Sequence, residues 1–181
     1  MAERFSQLND KHIDFINRQH MYFVGSAAAD GFVNVSPKGM DSLRVLGPNR
    51  LIWLNLTGSG NETAAHLLEI PRMTIMFCSF DKQPLILRIY GTATAVHPRD
   101  GAWGQLSSQF PDYTGARQVF DLDIELVQTS CGYAVPHYEH KGDRQTLDNW
   151  ADKKGREGIQ AYWEEKNTRS LNDRETGILV D

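Results

Sequence analysis

The sequence has little cysteine, no excess of positive charge and no long apolar run. Its 181 residues include two cysteines, which excludes a zinc site built from four cysteine ligands. A disulfide is not expected either, because Cys78 lies in an apolar run, residues 73–80, that is typical of a buried strand. A formal net charge of −4 at pH 7 removes the usual electrostatic basis for binding nucleic acid, although a local basic patch for RNA is compatible with it. We therefore expect no nucleic-acid partner.

Apolar stretches are short throughout the chain. None approaches the roughly 20 residues that span a bilayer, and the first five residues, Met-Ala-Glu-Arg-Phe, lack the apolar core of a signal peptide. Charged residues make up 23% of the chain and aromatic residues 10%, as in ordinary soluble proteins. We expect a cytoplasmic protein with no membrane partner, folded as one domain over residues 1–181.

Hydrophobic patterning predicts a mainly β domain with helices. The predicted helices span residues 7–20, 61–70 and 146–166, and residues 97–110 are helical or irregular. The predicted strands span residues 21–29, 32–36, 42–46, 50–56, 72–80, 85–96 and 119–127. Turn signals include Asp30-Gly31, and Gly91 marks a bulge or a close approach. These segments predict an antiparallel meander of about six strands closing into a small barrel, with a barrel core at about 21–130 and a C-terminal helical extension at about 137–181.

A phosphate site is predicted where the strand at residues 50–56 runs into a polar, glycine-containing loop that opens a helix. Gly58 and Gly60 let the main chain approach a ligand. Short polar side chains follow at Thr57, Ser59, Asn61 and Thr63. Unpaired N–H groups at a helix start, together with the positive end of the helix dipole, bind anions.

A dinucleotide-binding fold is one alternative interpretation of the same loop, with Asp81 as the ribose-binding acid. Two features argue against it. Thr63 occupies the place of the third glycine, and the short connection at residues 81–84 makes its flanking strands antiparallel, whereas a parallel sheet needs a crossover helix. A Walker-type loop is excluded because no Gly-Lys-Ser/Thr follows.

Several ordered segments together resemble the flavin-binding split barrels related to pyridoxamine 5′-phosphate oxidase. They are Ala-Asp-Gly at 29–31, Val-Asn-Val-Ser-Pro-Lys-Gly at 33–39, Trp-Leu-Asn-Leu-Thr-Gly-Ser-Gly-Asn at 53–61, Ala-Ala-His-Leu-Leu-Glu-Ile-Pro-Arg at 64–72 and Leu-Arg-Ile-Tyr-Gly at 87–91. They cover about residues 21–96, half of the chain. The resemblance implies a six-stranded antiparallel split β-barrel and a homodimer with FMN in a groove between protomers. It also implies that flavin passes a hydride or electrons to a small molecule.

The resemblance assigns site residues on three segments. The strand of Ser36, Pro37 and Lys38 and the loop of Thr57, Gly58, Ser59, Asn61 and Thr63 would approach the phosphate and ribityl chain, and Arg88 matches an arginine beside the flavin. Ser36 and Thr63 stand where the oxidase has arginine and lysine, and the oxidase's C-terminal Arg-x-His segment is missing. The chain is therefore more similar to an uncharacterised branch of the family than to the vitamin B6 enzyme.

The loop after the last predicted strand contains a thiol, a glycine and an aromatic ring at residues 131–133. This combination suits a segment that reaches over a ligand. We hypothesise that Cys131 and Tyr133 border the flavin pocket, from the same protomer or the other one. A metal site at His137, Glu139 and His140 is not expected, because their offsets do not converge in a strand. No residue is an obvious acid or base, so the catalytic residues stay unassigned.

Structural roles compete with each of these assignments. Lys38 could be a solvent-facing lysine, Arg88 a cross-strand partner of an acid, and Asn61 and Thr63 helix caps. Trp53 is expected in the core and His66 to be a buried structural histidine. Three alternative functions also remain open: a deazaflavin enzyme, a flavin reductase, or a flavin- or haem-binding carrier or stress protein without turnover. Haem would need an axial histidine such as His66 or His137.

Overall fold

An antiparallel sheet of eight strands forms the body of the molecule, and the computed structural model describes it over residues 2–179. The strands are β1 (Glu3–Phe5), β2 (Tyr22–Ser26), β3 (Asn34–Lys38), β4 (Leu43–Gly47), β5 (Arg50–Leu56), β6 (Arg72–Cys78), β7 (Ile86–Val96) and β8 (Ala116–Ser130). The helices are α1 (Asp10–Asn17), α2 (Glu62–Glu69), α3 (Trp103–Ser107) and α4 (Thr146–Lys166). The predicted antiparallel, mainly β fold is confirmed.

The sheet has the strand order β3-β2-β6-β7-β8-β5-β4, and β1 pairs with the end of β8. The predicted count of about six strands is therefore too low. The three-residue β1 was missed because it is too short to show a period-2 pattern. The longest strand, β8, pairs with β7 along the whole of β7 and also with β5 and β1.

The sheet curls so that its two ends approach each other without pairing. Lys38 in β3 lies with Nζ 5.0 Å from the ring centroid of Trp53 in β5, although β3 is the first and β5 the sixth strand of this order. Tyr22 Oη lies 2.8 Å from Ser42 Oγ across the same gap. Within residues 2–179, β3 pairs only with β2, so the barrel stays split on this side.

The main core fills the inside of the curl. Trp53 and Phe120 stack there at 4.7 Å between centroids, with Ile75 and Ile89 on the neighbouring strands. A second, smaller core lies on the other side of β5 and β8, beneath α3; it contains Ile52, Leu54, Val119, Leu106 and Phe110. Because both faces of β5 are covered, this strand is apolar at almost every position.

The helices follow local signals in the sequence. Asn9 caps α1 and forms a capping box with His12, so the helix begins later than the predicted residue 7. The predicted bounds of α4 are confirmed, and the chain kinks within it at Gly155, where φ is +67°. No helix of the described part of the chain is both long enough and apolar enough to cross a membrane.

Two glycine predictions are also confirmed. The β2–β3 hairpin turns at Asp30-Gly31, where Gly31 has φ +83°. The register between β7 and β8 shifts at Gly91, and a Cβ there would lie 1.9 Å from the carbonyl oxygen of Asp123. Only glycine fits so close an approach of two strands.

The C-terminal extension packs back on the β5–α2 loop and on α2. Trp163 Nε1 in α4 donates to Thr57 Oγ1 at 2.8 Å. Beyond α4, Arg174 pairs with Glu69 at 3.0 Å and with Asp30. The extension predicted for about 137–181 thus contains one long helix and an ordered tail, and its last two residues lie outside the described residues.

Candidate functional site

A cavity of about 320 Å³ lies in the split of the barrel. Its walls come from the inner face of β3, from the end of β5, from the loop at residues 58–61, from the start of α2 and from Arg117 at the start of β8. Of the residues predicted for the site, it brings together Ser36, Lys38, Gly58, Ser59, Asn61 and Thr63. The predicted phosphate loop and the predicted strand therefore meet at one place.

Strand alternation determines which side of β3 faces the cavity. Asn34, Ser36 and Lys38 line it, whereas Val35 between them is 64% exposed on the other face. Pro37 shares that outer face, because successive residues of a strand point to opposite sides. Pro37 therefore does not line the cavity of its own chain, and its contact with a cofactor stays a prediction.

Two cations, Lys38 and Arg117, meet in the cavity. Arg117 is 2% exposed, and its Nη1 donates to Asn167 Oδ1 at 2.7 Å. Burial and the charge of Arg117 lower the pKa of Lys38 to about 8. Burial also lowers the pKa of Arg117, but a guanidinium keeps its charge at neutral pH.

Neither cation has a salt-bridge partner among residues 2–179. A buried charge without a partner is unfavourable, so the cavity carries a positive potential that an anion would compensate. The interpretation of Lys38 as a solvent-facing lysine is not supported, since Nζ lies over the ring of buried Trp53.

Asn61 has its side chain buried beside these cations without a hydrogen bond. The residue is 2% exposed, and neither Oδ1 nor Nδ2 has a partner in the described chain. Its side chain does not cap α2, which answers the structural alternative raised by the sequence. Arg117 Nε is likewise unpartnered there. Buried polar atoms of native proteins are nearly always satisfied, so this cluster is typical of a site that a ligand completes.

A chain of hydrogen bonds supports the cavity wall from behind. His66 is 1% exposed, with Nδ1 3.0 Å from Ser26 Oγ, and Ser26 in turn donates to Thr63 Oγ1 at 3.2 Å. Asn34 Nδ2 donates to the same Thr63 oxygen at 3.2 Å. Burial lowers the pKa of His66. The predicted structural role of His66 is confirmed, and Thr63 serves this network rather than a helix cap.

Thr57 lies behind the phosphate loop and not in the cavity. Its Oγ1 donates to the Gly115 carbonyl at 2.8 Å and accepts from Trp163. Thr57 therefore fixes the loop from behind, and its contact with a ligand stays a prediction.

Arg88, Cys131 and Tyr133 do not reach the cavity of their own chain. Arg88 stands in register with Met76, Phe23 and Pro37 across the sheet, on the face opposite to Lys38, and its Nη1 donates to Ser130 Oγ at 3.3 Å rather than to an acid. Cys131 is exposed and Tyr133 is 82% exposed, beyond the end of β8 that is remote from Arg117. A contribution of these residues to a site in a second protomer stays a prediction.

His140, one of the three residues considered and not expected as metal ligands, makes other contacts. His140 stacks on His20 with centroids 3.7 Å apart, and its Nε2 lies 3.2 Å from Asp143 Oδ1. In the described part of the chain, no three His, Cys, Asp or Glu side chains are grouped as for a metal ion.

Sequence reasoning missed Arg117, Asn34, Asn55 and Asn167, all of which line the cavity or contact a residue that lines it. Arg117 precedes the alternating segment from which the last strand was predicted, so no pattern marked it as part of β8. Asn167 follows α4 and reaches the site only through the packing of the C-terminal extension.

Comparisons with known proteins identify the family and agree with the fold. Residues 8–131 match the family described as pyridoxamine 5′-phosphate oxidase. The chain is 40% identical over 147 residues to the pyridoxamine 5′-phosphate oxidase family protein ustO of Aspergillus flavus, a match that covers 78% of this chain and 59% of that protein. The chain thus spans less than two thirds of the length of this curated relative.

Solved structures show the same fold. A candidate pyridoxamine 5′-phosphate oxidase from Lactobacillus delbrueckii superposes with a TM-score of 0.53 and 25% identity, over 68% of this chain and 94% of that one. HupZ from Group A Streptococcus superposes with a TM-score of 0.51 and 20% identity, over 66% and 91%.

Proposed function

Since the chain belongs to the pyridoxamine 5′-phosphate oxidase family, we propose that it is an FMN-binding oxidoreductase whose cavity holds the phosphate end of the flavin. One observation carries this proposal: Lys38 and Arg117 converge beside the unpartnered amide of Asn61, and neither cation has a salt-bridge partner in the described chain. The carboxylate of Glu62 also lines the cavity, but it accepts from Leu171 N. The residues present fit a phosphate monoester. Lys38 Nζ, Arg117 Nε and the side-chain amide of Asn61 at the start of α2 would hold its oxygens.

The size of the cavity limits which part of the cofactor it takes. At about 320 Å³ it is at the lower end of ligand pockets, which measure about 300 to 1,000 Å³. We infer that it takes the phosphate and part of the ribityl chain, while the ring system lies outside it, in a groove that a second protomer completes.

The chemistry of such a protein comes from the cofactor, which supplies hydride or electron transfer when bound. The residues of this chain bind and orient it: the cations hold the phosphate, Asn34 and Ser36 present polar groups along the cavity, and Thr57 keeps the loop in place. No acid or base of the cavity is assigned to proton transfer. A small molecule entering beside the flavin is the proposed substrate.

A homodimer is part of the same proposal. β3 is an edge strand with Val35 64% exposed on its outer face, and Val33 just before the strand is 72% exposed. Neighbouring Phe32 is 66% exposed. An exposed apolar edge strand of this kind is normally covered, and a second copy of the chain would cover it together with Arg88. Both cysteines are free thiols, which supports a reducing compartment such as the cytoplasm.

The first test identifies the ligand. The purified protein is denatured, and the released small molecule is analysed by mass spectrometry; the mass of FMN is expected. Apoprotein is then titrated with FMN and with riboflavin, which lacks the phosphate, and flavin fluorescence is followed. We expect a strong preference for FMN that Arg117→Met removes, while Lys82→Met, a change of equal charge on the exposed β6–β7 connection, keeps it. Equal affinity for both flavins would refute the assignment of the cavity to phosphate.

Turnover is tested separately from binding. Oxidation of NADH or NADPH by the FMN-loaded protein with a panel of acceptors is expected to show activity above that of free FMN. A loaded protein without turnover is a carrier instead. Haem binding is disfavoured for His66, because a ring that is 1% exposed has no open side for a porphyrin.

A further inference from the structure

The candidate phosphate site is completed by a residue outside the region that matches the family. The match ends at residue 131, whereas Asn167 lies just after α4 in the C-terminal extension. Asn167 is 0% exposed. A buried asparagine at this position must satisfy its amide, and its partners are Arg117 and the phosphate loop.

The hydrogen bonds of Asn167 determine the orientation of its amide. Oδ1 accepts from Arg117 Nη1 at 2.7 Å, and Nδ2 donates to the carbonyl oxygen of Gly58 at 3.1 Å. The opposite orientation would place an amide donor against a guanidinium donor. The main-chain oxygen of Asn167 accepts from Thr176 Oγ1, which ties the residue to the tail.

On this geometry, and resting on the proposed function, we infer that Asn167 is a positioning residue for phosphate recognition. It holds one nitrogen of the Arg117 guanidinium and leaves Nε, unpartnered in the described chain, for the ligand. It also holds the loop that faces the ligand from the other side. The C-terminal extension thereby controls how strongly the site prefers a phosphate monoester to its dephosphorylated counterpart.

A neutral partner suits this role better than a charged one. An aspartate in place of Asn167 would still accept from the guanidinium, but it would compensate the charge of Arg117 and would lose the donor to the Gly58 carbonyl. The site would then lose attraction for an anion. Asparagine orients the cation and leaves its charge for the ligand. Other contacts keep the extension on the site, since Leu171 N donates to the Glu62 carboxylate at 3.0 Å and Trp163 donates to Thr57.

The test compares the affinities of apoprotein variants for FMN and riboflavin by fluorescence titration. We expect Asn167→Asp to weaken FMN binding at least tenfold and riboflavin binding less than twofold, so that the preference for the phosphate collapses. The matched control is Asn172→Ala, which removes a hydrogen bond of the same tail to Phe32 N away from the cavity. It is expected to keep the preference.

A double-mutant comparison tests whether Asn167 positions Arg117 or only supports the fold in general. If Asn167 acts through Arg117, Asn167→Ala weakens FMN binding in the wild-type background but not in the Arg117→Met background. Parallel losses for both flavins, or an additive loss of FMN affinity in the Arg117→Met background, would overturn the inference. The comparison also covers the case in which Asn167→Asp does not fold. Wild-type protein without any preference for FMN would instead refute the proposed function itself.

Discussion

Lys38 of the edge strand β3 and Arg117 at the start of β8 line one cavity, and the charge of Arg117 adds to burial in lowering the pKa of Lys38 to about 8. The two strands that carry them do not pair. Curling of the sheet brings the cations together, and the fold itself therefore creates the positive potential of the site.

The first prediction concerns protons taken up when a phosphate monoester binds. A bound dianion stabilises the charged form of Lys38, so its pKa rises from about 8 when the ligand binds. Near pH 8 binding is expected to take up a fraction of a proton, and affinity should fall as the pH rises above 8. Calorimetric titration with FMN at pH 8, in two buffers of different ionisation enthalpy, measures the uptake.

The control for this prediction is Lys38→Met, which should bind FMN more weakly and without the uptake assigned to Lys38. Lys82→Met should behave as wild type. Identical heats for wild-type protein in both buffers would show that Lys38 is not linked to the ligand.

The second prediction compares two asparagines that precede helices. Asn61→Ala should leave the melting temperature of the ligand-free protein unchanged or raise it, because the Asn61 side chain makes no hydrogen bond in the described chain. The same change should remove most of the rise in melting temperature that FMN produces. Asn9→Ala should do the reverse and lower the free energy of unfolding by about 1 kcal/mol, since Asn9 caps α1. A large loss of apoprotein stability in Asn61→Ala would contradict the prediction.

The third prediction is a steric one at the β7–β8 bulge. Gly91→Ala should lower the free energy of unfolding by on the order of 3 kcal/mol, because the new methyl group would overlap a main-chain carbonyl that cannot move aside. Gly101→Ala is the control, since nothing lies within 4 Å of a Cβ there. Chemical denaturation of both variants measures the difference. Equal denaturation midpoints for the two variants would contradict the prediction.

The fourth prediction concerns acid stability through His97, which is 5% exposed. Burial and the charge of Arg99 lower its pKa from 6.5 to about 4. The unfolded chain therefore takes up a proton at this residue between pH 6.5 and 4 while the folded chain does not, so stability falls as the pH drops through this window. Denaturation at pH 7 and pH 5 should show a smaller loss for His97→Leu than for wild type. His137→Leu, a change at an exposed histidine, should keep the wild-type loss.

Local sequence patterns predicted most of the helices and strands, but they did not predict which residues meet in the cavity. The predicted bounds of α4 and the antiparallel pairing of β6 with β7 depend only on periodicity and on a short connection, and both are confirmed. Arg117 enters the cavity because β8 begins with a register shift opposite Asn55 and Leu56. A register shift is a property of two paired strands, so the sequence pattern of one strand does not predict it.

The resemblance to a family identified strands correctly but not the faces of those strands. Pro37 and Lys38 are neighbours in one motif, yet they lie on opposite sides of β3. Arg88 shares the outer side, so its place in a flavin site depends on a second protomer. Neighbouring residues of a sequence motif lie on opposite faces of a strand. The pairing of β3 with the buried strand β2 determines which of them faces inward.

The central place of β8 has a consequence for synthesis of the chain. Residues 3–5 pair with residues 127–129, and β5 and β7 both need β8 as a neighbour. While the earlier strands emerge from the ribosome, their edges stay unpaired until translation has passed residue 130. We expect nascent chains stopped before that point to remain bound to chaperones, and chains released after it to close the sheet.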